Sequence, residues 1–163
     1  MRAPSGWIAI ALLVTASAQT LQAQRPVHAD PRAEFRVGAS LTPRLGPQLG
    51  IGMDLRAGWY ARLHLAADVG AVQAQGRWSG RQQLSATARF LLDPFGERPL
   101  GLYGGAGLVL HRTVHAEPTG ALLLLIGVEG SAFARPLVPA FEIELGDGIR
   151  ATLVWRARRA DSR

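Results

Sequence analysis

Trp59-Tyr60-Ala61-Arg62-Leu63-His64-Leu65-Ala66-Ala67-Asp68-Val69-Gly70-Ala71 is the stretch that decides how this chain folds. Its odd positions, Trp59, Ala61, Leu63, Leu65, Ala67, Val69 and Ala71, are all apolar, and Arg62, His64 and Asp68 all fall on even ones. Successive side chains of a β-strand point to opposite faces, whereas a helix would mix these two sets around its circumference. The stretch reads as a strand with one apolar and one polar face.

The same period of two recurs on both sides of it. Phe35, Val37, Ala39 and Leu41 alternate with Glu34, Arg36, Gly38 and Ser40, and Leu49, Ile51, Met53 and Leu55 with Gln48, Gly50, Gly52 and Asp54. Leu84, Ala86, Ala88 and Phe90 alternate with Gln83, Ser85, Thr87 and Arg89. Leu100, Leu102, Gly104, Ala106, Leu108 and Leu110 alternate with Gly101, Tyr103, Gly105, Gly107 and His111. Leu122, Leu124, Ile126 and Val128 face a less polar set ending in Gly127 and Glu129. Leu137, Phe141, Ile143 and Leu145 alternate with Ala140, Glu142 and Glu144, and Ile149, Ala151, Leu153, Trp155 and Ala157 with Arg150, Thr152, Arg156 and Arg158. Short links rich in Gly, Pro and Asp separate these runs, among them Ala57-Gly58, Asp93-Pro94-Phe95-Gly96 and Gly146-Asp147-Gly148. Eight strands joined in this way predict an all-β fold, an eight-stranded antiparallel up-and-down β-barrel whose closure removes the exposed sheet edge.

The 163 residues suffice for one such domain. Ahead of it, Met1-Arg2, the apolar run 7–14 and the small residues Ala16-Ser17-Ala18 and Leu21-Gln22-Ala23 read as a signal peptide over residues 1–23. Cleavage after Ala23 is favoured and cleavage after Ala18 is the alternative. A flexible leader (24–33), the barrel domain (34–158) and a basic tail (159–163) complete the division. The chain has no cysteine and no lysine, and its formal charge is +6. Its arginines are scattered rather than gathered into a stripe, which argues against nucleic acid as a partner.

Alternation alone leaves two barrels open. A soluble barrel of the lipocalin sort would turn its apolar face inward around an apolar ligand in the periplasm. A membrane barrel would turn that face outward, toward outer-membrane lipids. The polar face favours the second, because it combines small residues with isolated charges of both signs, as suits a narrow lumen. The expected lumen charge network comprises Arg36, Asp54, Arg62, His64, Asp68, Arg89, Glu129, Glu142, Glu144, Arg150 and Arg156. With the signal peptide, the strand count and Trp155 in the last strand, the pattern resembles the small OmpA/OmpX-like outer-membrane β-barrel proteins. The resemblance spans residues 34–158 and implies a barrel in the cell outer membrane. Phe35, Trp59, Phe90, Phe141 and Trp155 are the aromatics available for its lipid interfaces.

Motifs that would carry chemistry are weak. A P-loop lacks its lysine, and Gly105-Ala106-Gly107 has Leu110 where a dinucleotide loop has its third glycine. His111 and His115 enter a loop with no carboxylate or thiolate to complete a metal site. His64 with Ser85 and Glu142 could form a lipid hydrolase's triad inside the barrel, yet no spacing ties the three together. Glu142 and Glu144 share a face that Arg150 on the next strand can neutralise. The reading is therefore a non-enzymatic barrel, with no catalytic, metal or cofactor residues, in an envelope-structural or loop-mediated interaction role. The periplasmic apolar-ligand binder and the outer-membrane lipid hydrolase are its alternatives.

Overall fold

The structure is a computed structural model and describes residues 31–157, apart from 43, 75, 95–98, 115 and 131–135. The expected signal peptide, most of the leader and the basic tail lie outside the described residues. Eight strands follow one another: β1 (Arg32–Thr42), β2 (Gly46–Arg56), β3 (Ala61–Ala74), β4 (Arg77–Leu91), β5 (Leu100–Thr113), β6 (Thr119–Gly130), β7 (Leu137–Leu145) and β8 (Ile149–Ala157). Each pairs antiparallel with its neighbours, and β1 pairs with β8 to close the barrel. Phe35 lies opposite Ile51 of β2 and Trp155 of β8, which fixes the closure register.

Three boundaries differ from the sequence reading. β1 starts at Arg32, so two residues assigned to the leader belong to the barrel. Trp59 and Tyr60 sit in the β2–β3 connection rather than in β3. β3 and β4 run on well past the apolar alternation, to Ala74 and from Arg77, and pair directly there. The ladder continues because backbone hydrogen bonding does not depend on which side chains it carries. The alternation fades because the outward positions there, Gln73 and Gln82, are polar. The resulting two-residue hairpin needs a left-handed position, which Gly76 supplies at φ 75° without a Cβ penalty.

Burial follows the period of two. In β7 it reads exposed-buried from end to end, with Val138, Ala140, Glu142 and Glu144 inside and Leu137, Phe141, Ile143 and Leu145 outside. The apolar side chains therefore face outward and the charged ones inward. This orientation contradicts the soluble-barrel alternative, in which the apolar set lines the interior.

Candidate functional site

The charges converge on Glu34, near the start of β1. Its carboxylate accepts from Arg36 Nη1 at 2.9 Å, from Arg156 Nε at 3.0 Å and from Arg89 Nη1 at 3.4 Å, and lies 2.5 Å from His64 Nε2. Glu34 and Arg36 are two residues apart on one strand and so share a face, while β3, β4 and β8 bring the other three across the lumen. Asp54 accepts from Arg89 Nη1 at 2.8 Å. Glu142 receives Arg156 Nη2 at 2.5 Å, Arg89 Nη2 at 2.8 Å and Arg36 Nη1 at 3.2 Å. Glu144 joins Arg36 Nη2 at 2.5 Å to Arg150 Nη2 at 2.7 Å, and Asp68 meets Arg36 Nε at 3.3 Å. Toward the mouth that carries the chain ends, Glu129 binds Arg62 at 2.8 Å and Arg156 Nη1 at 2.5 Å.

Every residue of the expected network thus lies on the lumen side and joins this mesh of ion pairs. Sequence reasoning left out Glu34, although its even position in β1 put it on the polar face, and left out Tyr103. The Tyr103 hydroxyl donates to Glu142 Oε1 at 2.6 Å and accepts from Arg156 Nη2 at 2.9 Å, and its ring lies 5.0 Å below the Arg156 guanidinium. The ring occupies the space over Gly127, its partner on β6, where a Cβ would collide with it. His111 points inward beside Asp147, which Arg81 also binds at 2.6 Å. His115 lies outside the described residues.

Charge balance makes so much burial tolerable. Glu34, Asp54, Asp68, Glu129, Glu142 and Glu144 face Arg32, Arg36, Arg62, Arg89, Arg150 and Arg156, equal in number. A buried charge is expensive alone and becomes acceptable when several partners of opposite sign surround it. The mesh fills the lumen. The space beside Asp68, Gln48 and Gln83 is about 10 Å³, and a vestibule of about 190 Å³ lined by Arg32, Arg56 and Trp59 opens only at the mouth.

His64 and its neighbours bear on two chemical alternatives. His64 has a hydroxyl and a carboxylate as partners, Thr87 Oγ1 at 3.3 Å and Glu34 at 2.5 Å, rather than Ser85 and Glu142. His64 is 1% exposed, and Arg36 Nη1 stands 3.3 Å from its Nε2. Ligand atoms of Glu34, Asp54 and His64 lie within 4.8 Å of one another, close enough for a cation. The same carboxylates are already held by Arg36, Arg89 and Arg156, whose positive charge would oppose a metal ion.

The outside is the opposite environment. Ile51, Leu108 and Leu122 are 68%, 63% and 76% exposed, in an apolar surface that runs round the barrel. Soluble monomers rarely expose a contiguous apolar patch beyond a few hundred Å², so this surface is suited to hydrocarbon. On β5 it runs from Leu100 to Leu110, which at about 3.3 Å per residue and a tilt near 40° spans about 25 Å, the apolar height of a membrane barrel. Phe35 and Trp155 pack at 6.1 Å and, with Phe90 and Trp59, lie toward the end bearing the chain ends. Phe141 lies at mid-strand, and Trp78 marks the opposite end. Among the described residues, the aromatics gather mainly at the end bearing the chain ends.

The sequence matches no known family and no curated protein. Solved structures match the fold. Neisserial surface protein A shares 15% identity over 79% of this chain and 96% of its own, with a TM-score of 0.55. The N-terminal β-barrel domain of Pseudomonas aeruginosa OprF shares 12% over 77% and 96%, at 0.54. The outer membrane enzyme PagL shares 14% over 78% and 99%, at 0.51. At such identities the likeness is one of architecture, and the architecture is that of the small eight-stranded outer-membrane β-barrels.

Proposed function

We propose that the chain is an outer-membrane barrel with a sealed lumen and no enzymatic activity, serving envelope structure or interactions made by its connecting loops. One observation carries this reading: the lumen is filled by mutually paired charges while the outer surface is apolar. Lipid outside favours the membrane, and eight strands leave room only for side chains. The likeness to PagL is one of fold, and at 14% identity it carries no activity over to this chain. Residues 1–23, read as a signal peptide, agree with export. The test is fractionation with a carbonate wash, followed by planar-bilayer recording. The barrel should stay with the outer membrane and give no sustained conductance. Release by carbonate would overturn the membrane reading, and porin-like steps would overturn the sealed lumen. The mature chain should begin at Gln24, or at Gln19, and an exported chain retaining Met1 would overturn the signal peptide.

A further inference from the structure

We infer that the barrel binds one multiply phosphorylated glycolipid, its acyl chains in a groove on the outer wall of β2–β6 and its phosphates on Arg44, Arg77 and Arg112. The inference rests on the membrane reading above. Small residues at Ala67, Ala86 and Gly120 lie among Ile51, Leu108 and Leu122 and leave an open apolar groove of about 900 Å³ on the outside of the barrel. The next outward row toward the mouth opposite the chain ends is Leu49, Val69, Gln82 and Arg112, so the groove ends beneath a guanidinium.

That mouth is positively charged. Arg44 in the β1–β2 connection, Arg77 and Arg81 at the start of β4, and Arg112 at the end of β5 stand against two carboxylates, Asp147 and Glu117. Arg81 takes Asp147, at 2.6 Å. Arg44, Arg77 and Arg112 are exposed, and among the described residues none of the three is in an ion pair. At the other mouth Arg32, Arg56 and Arg62 stand with Asp54, Asp93 and Glu129, equal in number among the described residues. The three unpaired arginines lie on the wall that carries the groove. Leu45, beside Arg44, accepts from Gln73 N at 3.0 Å, which lays the β1–β2 connection against β3. Val114 N donates to Gly80 O at 2.9 Å, which lays the end of β5 against β4. The arginines also stand at different heights: Arg77 is five residues beyond Gln82 on β4, about 17 Å along the strand. Each planar guanidinium matches a phosphate's paired oxygens. A single phosphodiester reaches one such level, whereas a headgroup of linked sugars with several phosphates spans them.

The full mature chain, refolded and shown to float with phosphatidylcholine vesicles, is titrated in micelles with diphosphoryl lipid A, monophosphoryl lipid A or phosphatidylglycerol, and bound lipid is counted by native mass spectrometry. One diphosphoryl lipid A should be retained about fivefold more tightly than the monophosphoryl form, and more tightly still than phosphatidylglycerol. Arg44→Gln, Arg77→Gln and Arg112→Gln should each narrow that preference, and the triple variant should abolish it. Ala67→Phe, filling the groove, should weaken lipid A while the folded gel mobility is unchanged. The de-acylated bisphosphorylated disaccharide should bind the parent chain far more weakly than lipid A does. Equal retention of the three lipids, a preference surviving the triple variant, or equal binding of lipid A and the de-acylated disaccharide would overturn the site and leave the membrane reading intact. A chain that fails to float would overturn both.

Discussion

The inward faces of β1–β4, β7 and β8 carry the charges, among them Glu34, Arg36, Asp54, Asp68, Arg89, Glu142, Glu144, Arg150 and Arg156, whereas those of β5 and β6, apart from His111 and Glu129 near their ends, carry Gly105, Gly107, Val109, Leu123, Leu125 and Gly127 around Tyr103. The lumen has a charged wall and a spare one. Eight strands enclose too little volume for long charged side chains on every strand, because an arginine needs its full side chain laid across the interior to reach a carboxylate. The glycines of the spare wall leave that volume free, and its leucines and valine close what remains. Tyr103 joins the two, its ring on Gly127 and its hydroxyl between Arg156 and Glu142.

If the walls differ in this way, the largest loss should follow from removing the hub of the charged one. Glu34→Ala leaves Arg36, His64, Arg89 and Arg156 around a buried gap and should destabilise the barrel by about 3–5 kcal/mol. Urea unfolding from micelles measures it. Glu117→Ala, in the exposed β5–β6 connection, should stay within about 0.5 kcal/mol of the parent. Equal midpoints for the two variants would mean that the charged wall is solvated and that the comparison between the walls fails.

The charged wall was legible in the sequence and the spare one largely was not. Arg62, His64 and Asp68 stand out because their outward neighbours are apolar, so the period of two is visible in polarity itself. Along Leu122-Leu123-Leu124-Leu125-Ile126 both faces are apolar, and only the phase set further on by Gly127 and Glu129 separates inward Leu123 and Leu125 from outward Leu122 and Leu124. Glu34 was visible on the polar face but lay beside the leader, where a charged residue has an easy alternative as a solvated terminus. Tyr103's role needed the register, since only pairing with Gly127 shows why a large ring fits among glycines. The outer groove was equally hidden, because its small residues belong to separate strands.

The spare wall can be tested by contrast with its own outer surface. Leu123 is 1% exposed inside and Leu122 is 76% exposed outside, on adjacent residues of one strand. Leu123→Ala removes the transfer energy and leaves a cavity, at a cost of about 2–5 kcal/mol. Leu122→Ala should cost distinctly less, because lipid follows the shortened side chain. Equal losses would place both residues in one environment and remove the distinction between inner packing and outer shell.

Lipid, unlike the lumen, should not distinguish the walls. Arginine introduced outward on the spare side, Ala106→Arg, and on the charged side, Leu153→Arg, should each cost about 2–4 kcal/mol near mid-membrane. Leu100→Arg, at the edge of the apolar band, should cost about 0–1 kcal/mol. Unfolding in vesicles measures all three. A marked difference between Ala106→Arg and Leu153→Arg would mean that one wall faces something other than hydrocarbon.

A pairwise coupling tests the joint between the walls. A methyl group at Gly127 meets the Tyr103 ring, so Gly127→Ala must push the ring toward Arg156 and Glu142 and should cost about 1–3 kcal/mol. Tyr103→Leu alone loses the two hydrogen bonds of the hydroxyl but clears the space that the ring held. With the ring gone the added methyl has room, so in the double variant Gly127→Ala should cost little more than Tyr103→Leu by itself. The thermodynamic cycle should therefore close with a favourable coupling of about 0.5–3 kcal/mol between positions 103 and 127. Simple additivity would show that the glycine serves strand geometry alone, and that the charged wall is held in place without the ring. Coupling of the expected sign would tie the bareness of β6 to the position of Arg156, so that the glycine wall is what allows the charged wall to close the lumen.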